Sequence, residues 1–583
     1  MGHPGWLDQW ECRIGLGCMR LSTDQNRDEV MATETIAAAV EAGVTVFDTA
    51  RAYGWDAEEL GHNEALLAGA LRTCRAHEKA RIVTKGGMTR IGGGWIPDGR
   101  ARSILRDCES SLVALDGIPI DLYLIHAPDP RTPWRTSVRA LAKLVDDGLV
   151  TRVGLSNVNR RQLDEALDLV PITAVQVALG PTNVSAIRGG LVEQCAKQGI
   201  AVIAHSPLGG PKRAGGLARN QVLVDVSAAH DATPAEIALA WLLELSPVVI
   251  AIPGARRPQT VRSAVQAASL TLTSDDRTAL ARAFGTPRRA PQQQSHPQEN
   301  ADVVLLMGIP GAGKTRLAKD YVARGYLRLN RDERGGSLRE LATALDQELE
   351  SGARRVVLDN TWLTRASRSY VIEAASKHRL ATRCVWLDIT LAKAQLNVVE
   401  RILERFGSLP TPEELRVLAR HEPAMLTPTS QMHALRELEA PSVEEGFGAV
   451  EHVPFAREDT PRQSRGGVFV AAAALTHLGW ERRLKQADGA APHLVFDWKP
   501  DGDAGLLAES VASVAAEISG PVDGALCTHA AGPPVCWCRP PLPGLLLPFA
   551  RAHGIDPSRS TLVGTAPAHR TLAATLGAHF IIV

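Results

Sequence analysis

The sequence predicts an α/β protein: a (β/α)8 TIM barrel, followed by two smaller α/β segments. Three observations carry this. Short β-branched runs alternate with longer Ala/Leu-rich patterns eight times in the first half, the signature of a closed parallel barrel. A second apolar strand pattern, "ADVVLLMGIPGAGKTRLAKDY", leads into a glycine-rich loop and a helical pattern. Two polar stretches, "GTPRRAPQQQSHPQENADVV" and "REDTPRQSRGG", interrupt the apolar periodicity as exposed linkers do. At 583 residues the chain exceeds one core. The cuts predict domains at 1–288, 300–457 and 466–583, with a linker at 289–299.

Composition narrows the function classes. Lys+Arg 64 against Asp+Glu 64 gives a formal charge of +0, so any nucleic-acid binding must come from a local patch. The start "MGHPGWLDQWECRIG" lacks a basic segment followed by an apolar one, and no apolar run is long enough to span a bilayer. Six of the nine cysteines are scattered singly and three sit together near the end, the pattern of reduced thiols with one local cluster. The expectation is a cytoplasmic protein with no membrane partner. Nothing in the sequence sets an oligomeric state.

In the first segment the strand candidates are "RIGLGCM", "VTVFDTA", "RIVTKGG", "DLYLIHA", "TRVGLSN", "AVQVALG", "IAVIAHSP" and "VVIAIPG". No GxGxxG opens the first helix, which disfavours an open doubly wound sheet. Polar residues recur at the strands' C-terminal ends: Asp48, Lys85, His126, Ser156 with Asn157, Gln176 and Ser206. In a barrel these converge on the face where such folds carry their active sites.

"FDTARAYG", "IVTKGG", "LYLIHAPD", "GLSN", "SPLG" and "IPGARRP", in that order, resemble the aldo-keto reductase family across the whole segment. The resemblance implies an NADP(H)-dependent reductase of a small carbonyl substrate. It makes Tyr53 the general acid, with Lys85 and Asp48 lowering its pKa. His126 would orient the carbonyl, and Ser156, Asn157 and Gln176 would hold the nicotinamide amide. Ser206 joins the cofactor set, and Arg256 and Arg262 would contact the 2′-phosphate. His205 stands where the family usually has a stacking tyrosine, and Ser263 and Ala264 replace its adenine-holding Glu and Asn.

The second segment carries Gly308-x4-Gly313-Lys314-Thr315, with Gly311 inside the loop. Glycines let backbone N–H groups wrap phosphates at a helix N-terminus, Lys314 reaches the β/γ oxygens, and Thr315 ligates Mg²⁺. ATP and Mg²⁺ are therefore expected. "YLRLNRDERGG" places Asp332 beside Arg331 and Arg334, as a base for an attacking hydroxyl. Asp359 ends another apolar strand in a Walker-B-like position, and Arg401 and Arg405 suit a lid over the phosphates. "NRD" and the closing run "LRELEAPSVEEGFGAVEHVPF" resemble the 5′-hydroxyl polynucleotide kinase module of end-healing kinase–phosphatases. That implies an RNA or DNA end as acceptor. The family's Arg three residues past the Asp is here Arg334, two past.

Cys527-x-His529-x6-Cys536-x-Cys538 offers four ligands for a tetrahedral, structural Zn²⁺. This run and "CWCRPPLPG" resemble the zinc loop of haloacid-dehalogenase-class (HAD-like) phosphatases. That family's first strand ends in Asp-x-Asp-Gly-Thr; here "GGVFVAAAALTH" offers Ala471 and Ala473 instead, and "LVGTAPAHR" puts Thr565 where Mg²⁺ carboxylates would stand. The expectation is a pseudo-phosphatase. The whole is expected to be a fused carbonyl reductase and polynucleotide kinase. A small-metabolite kinase coupled to carbonyl reduction, or one kinase with two scaffold modules, are the alternatives.

Overall fold

In the computed structural model, described residues are 6–8, 11–91, 93–129, 131–285, 301–422, 425–454, 465–500, 502, 504–530 and 535–583. The expected linker at 289–299 and most of the second polar stretch lie outside them. The chain divides into two compact units, 1–292 with 364–369, and 293–363 with 370–583.

The first unit holds eight parallel strands: β1 (Leu16–Gly17), β2 (Val46–Asp48), β3 (Arg81–Gly86), β4 (Leu122–Ile125), β5 (Val153–Ser156), β6 (Ala174–Ala178), β7 (Ala201–His205) and β8 (Val249–Ile252). Each pairs with the next in sequence, and bridges Ile14–Ala251 and Gly17–Gly254 join the last strand to the first. The sheet is a closed barrel, and all eight expected strands are present. The strands are buried on both faces, which is why they read as continuous apolar runs. Gly154 is required where β5 meets β6, since a Cβ there would lie 2.4 Å from the Ala174 carbonyl oxygen. Val46, Val83, Leu122, Leu124, Ile203 and Ile250 cluster with Trp6 and Leu7. The Trp6 indole donates to Asp121, just before β4, so it plugs the end opposite the expected site. After β3 the chain makes an antiparallel hairpin, Met88–Ile91 with Gly94–Pro97.

The second unit contains two five-stranded parallel sheets. The first comprises β9 (Asp302–Met307), β10 (Leu327–Leu329), β11 (Arg355–Asp359), β12 (Ala381–Asp388) and β13 (Ala449–Pro454), in the order β10-β11-β9-β12-β13. The second comprises β14 (Val468–Ala471), β15 (His493–Trp498), β16 (Val522–Cys527), β17 (Thr561–Gly564) and β18 (His579–Ile582), in the order β16-β15-β14-β17-β18. Both orders reverse beside the first strand, where open α/β sheets form their ligand crevices. The cut expected between 457 and 466 does not separate compact units. Helix Leu391–Phe406 of the first sheet's region buries Leu396, Val399, Ile402 and Leu403 in one core with Phe469, Phe496, Trp537 and Leu546. Trp537 also donates to the Leu426 carbonyl at 3.0 Å. A cut placed by linker composition cannot register such a shared core.

Candidate active sites and metal centre

At the barrel's C-terminal mouth, the strand ends bring Asp48, Lys85, His126, Ser156 and Gln176 together, all buried. The Lys85 ammonium is 2.8 Å from both Asp48 oxygens, 2.7 Å from the Thr49 carbonyl oxygen and 3.2 Å from the Tyr53 hydroxyl. Gln176 donates to Asp48 at 2.5 Å. Tyr53 lies in the turn after β2, where its N–H donates to Ala50. Asn157 donates to the His126 carbonyl oxygen at 3.0 Å and to the Ser156 hydroxyl at 3.1 Å, and its Oδ1 is 3.1 Å from His205. Asn157 and Ser206 both have left-handed backbones, φ 57° and 49°, a strain that marks functional loops.

Burial drives the electrostatics here. It pulls the Lys85 ammonium down, but Asp48 and Tyr53 outweigh it and leave Lys85 above its ordinary value. The same burial pushes the Tyr53 phenol up to about 12, against the pull of Lys85. Lys85 pulls the phenol down as expected, but desolvation of the phenolate is the larger effect and sets the net direction. Burial, with Lys85 and His205, holds His126 well below the usual histidine range, so its imidazole is neutral.

The expected phosphate contacts lie apart from this cluster. Arg256 pairs with Asp24 and Arg262 with Glu41, each at 3.1 Å. Ser263 donates to Glu236 at 2.6 Å. Sequence reasoning missed Trp95, on the hairpin, whose ring stands 6.0 Å from Tyr53 and 5.9 Å from His126. Its only signal was an aromatic residue inside a glycine run. A barrel with a buried Asp–Lys–Tyr chain beside a neutral histidine has the parts of a proton-donating oxidoreductase.

In the second unit, Gly308, Gly311 and Gly313 all have φ between 89° and 154°. A Cβ on Gly311 would lie 2.5 Å from the Ala394 carbonyl oxygen. The loop thus keeps bare backbone ahead of helix Lys314–Ala323, as phosphate binding needs. Lys314 donates to the carbonyls of Gly308 and Ile309 at 2.8 and 3.0 Å. Burial lowers its ammonium to about 8, with Asp359 opposing, Arg401 reinforcing and Asp332 opposing. Lys314, Asp359, Arg401 and Asp332 therefore share one electrostatic neighbourhood, with Thr315 exposed beside Lys314. Arg405 pairs with Glu422 instead, at 2.8 Å.

Asp359 is buried and accepts from Arg328 at 2.7 and 3.1 Å and from Asn330 at 3.2 Å. The Asn330 carboxamide oxygen also accepts from the N–H groups of Asp332 and Glu333, capping the short helix Arg331–Arg334. Asn330 thus ties the Asp332 segment to the end of β11. Asn397 and Gln431 brace the glycine loop through the carbonyls of Gly311 and Pro310, at 2.8 and 2.7 Å. These bracing partners are distant in sequence and carry no motif.

The ligand atoms of Cys527, His529, Cys536 and Cys538 all lie within 4.8 Å of one another. Neighbouring pairs are 3.2–3.8 Å apart. A tetrahedron with Zn–S bonds of about 2.3 Å has edges of about 3.8 Å, so the set fits Zn²⁺ with no open position. Trp498 donates to the His529 carbonyl at 2.9 Å and holds that loop. At the end of the central strand β14 stands Ala471, which offers no nucleophile.

The aldo/keto reductase family model matches residues 13–283, and an AAA domain model matches residues 303–423. An uncharacterized oxidoreductase of Schizosaccharomyces pombe is 30% identical over 269 residues, covering 45% of this chain and 83% of that protein. A probable aldo-keto reductase of Glycine max is 31% identical over 296 residues, with the same shares. Among solved structures, an aldo/keto reductase from Klebsiella pneumoniae in complex with NADP and acetate is 26% identical. Its TM-score is 0.40, and the match covers 48% of this chain and 93% of that one. Through its barrel the chain belongs to the aldo/keto reductase family.

Proposed function

We propose that the barrel reduces a small carbonyl compound with NADPH, and that the P-loop segment phosphorylates a 5′-hydroxyl polynucleotide end from ATP. The observation that carries the first half is the Asp48–Lys85–Tyr53 chain. When bound, NADPH supplies the hydride to the carbonyl carbon. Tyr53 gives its proton to the carbonyl oxygen, and Lys85 stabilises the phenolate left behind. Asp48, steadied by Gln176, keeps the ammonium charged and in place. Neutral His126 orients the carbonyl by hydrogen bonding. Ser156, Asn157 and Ser206, with Gln176, would hold the nicotinamide. Arg256 and Arg262, now paired with Asp24 and Glu41, would hold the 2′-phosphate. NADPH consumption with a generic aldehyde tests this half.

In the second half, Gly308–Thr315 cradles the nucleotide phosphates, and Thr315 with Asp359 would hold Mg²⁺ once Arg328 releases that carboxylate. Asp332 takes the hydroxyl proton. Its side chain is 40% exposed between Arg331 and Arg334, at 38% and 47%. An acceptor base open to solvent suits the end of a nucleic-acid strand better than a metabolite enclosed in a pocket. Phosphate transfer from ATP to 5′-hydroxyl oligonucleotides, set against a panel of small alcohols, decides between these acceptors. The C-terminal segment keeps a HAD-like frame with a structural Zn²⁺ and no hydrolytic activity.

A further inference from the structure

We infer that Arg90 is an anion-binding residue of the barrel's mouth, so that the reductase's carbonyl substrate carries a carboxylate or phosphate a few atoms from the carbonyl. This rests on the reductase reading and names its substrate class. Arg90 lies on the hairpin, five residues past Lys85, and is 4% exposed. Its Nη2 donates to the Trp55 carbonyl at 3.1 Å. Its Nε and Nη1 are buried with no acceptor. Among the described residues no carboxylate forms an ion pair with it; Asp56 acts on it only through space. A guanidinium buried without a counter-charge is costly, and structural arginines in cores are normally paired.

Its position gives that cost a purpose. The guanidinium carbon stacks 3.9 Å from the centre of the Trp95 ring. That ring stands edge-on to Tyr53 at 6.0 Å and is 5.9 Å from His126. One aromatic ring therefore touches both the guanidinium with its unpaired donors and the two groups that meet the carbonyl. The guanidinium is no farther from the Tyr53 ring than those two spans laid end to end, which limits the substrate to a short chain. Trp95 is 41% exposed, so the ring that carries the guanidinium is open to solvent at the mouth. Guanidinium N–H pairs match carboxylate and phosphate oxygens bidentately, and a lysine at this place would not.

The test compares, with NADPH, a four-carbon aldehyde ending in a carboxylate, its methyl-ended analogue, and a three-carbon aldehyde ending in a phosphate. Wild type should favour the better anion over the neutral aldehyde by at least about 30-fold in kcat/KM, the usual loss when a buried charge pair forfeits one partner. Which anion leads separates the carboxylate and phosphate sources. Arg90→Met should bring the ratio to about one, mainly through KM; Arg90→Lys should recover only part of it. A short carboxylate without an aldehyde should inhibit wild type competitively and the Met variant far less. Equal wild-type turnover of charged and neutral aldehydes overturns the inference while leaving the reductase reading standing. No turnover of any aldehyde defeats that reading and takes this inference with it.

Discussion

Lys85 donates to the Tyr53 hydroxyl across 3.2 Å from a wholly buried position, and shares its ammonium with Asp48. Removing it in Lys85→Met strands a buried carboxylate. The expected outcome is a loss of about 3–5 kcal/mol of stability and about 10²–10⁴-fold in turnover. Denaturant melts and steady-state kinetics check both. The double variant Lys85→Met with Asp48→Asn should retain more stability than either single change, because each single change leaves one buried charge without its partner and the double leaves none.

The raised phenol of Tyr53 has a directional consequence. With the folded value near 12 and the ordinary value at 10.0, the native state holds this proton where the unfolded chain gives it up. The contribution to stability is fully present below pH 10 and is lost as pH rises toward 12. Across neutral pH the acid form persists, so carbonyl reduction should show no basic limb from Tyr53 between pH 6 and 9, as a pH–kcat profile can verify.

His205 works in the opposite direction. Burial and Lys85 lower it from 6.5 to about 4. The unfolded chain then binds a proton that the native state refuses, so stability falls as pH drops from 6.5 to 4. His205→Asn should flatten that acid limb in thermal melts recorded between pH 4 and 7.

Much of the barrel was legible because its signals are local. Eight β-branched runs, six of them followed by a polar residue, place Asp48, Lys85 and His126 at one mouth by topology alone. The hairpin bearing Arg90 and Trp95 was not, since "MTRIGGGWIP" is too short and glycine-rich to show strand periodicity. The pairing of Arg328 with Asp359, and of Arg256 and Arg262 with Asp24 and Glu41, depends on long-range approach that no motif encodes. The pull of Lys85 on Tyr53 follows from the residue types, whereas the burial that outweighs it does not.

The shared core of the second unit has its own test. A fragment ending at residue 457 uncovers Leu396, Val399, Ile402 and Leu403 on helix Leu391–Phe406. It should be less soluble than the full chain, judged by sedimentation of matched preparations. Trp537→Ala in the full chain should lose about 3–5 kcal/mol.

For the P-loop, Lys314 at about 8 leaves the ammonium charged below that pH and neutral above it. ATP affinity should therefore weaken as pH rises past 8, and Lys314→Ala should bind poorly throughout. Asp332→Ala should keep ATP affinity while losing about 10²–10⁴-fold in phosphate transfer. Nucleotide titration and single-turnover transfer separate the two.

Metal analysis should find about one Zn²⁺ per chain, displaced by chelation with a fall in melting temperature. Cys536→Ser should reproduce that fall. Phosphate release from a phosphomonoester, abolished by a change in this segment, would overturn the assignment of an inert phosphatase frame.

The central claim, a working proton donor in the barrel's mouth, rests most directly on one comparison of wild type and Tyr53→Phe. NADPH binding by fluorescence titration and NADPH oxidation with an aldehyde are measured on both. The account expects both proteins to bind NADPH and only the wild type to turn over, since the substitution deletes one hydroxyl from an otherwise unchanged site. Wild type that binds no NADPH, or a Phe variant as active as wild type, would contradict it.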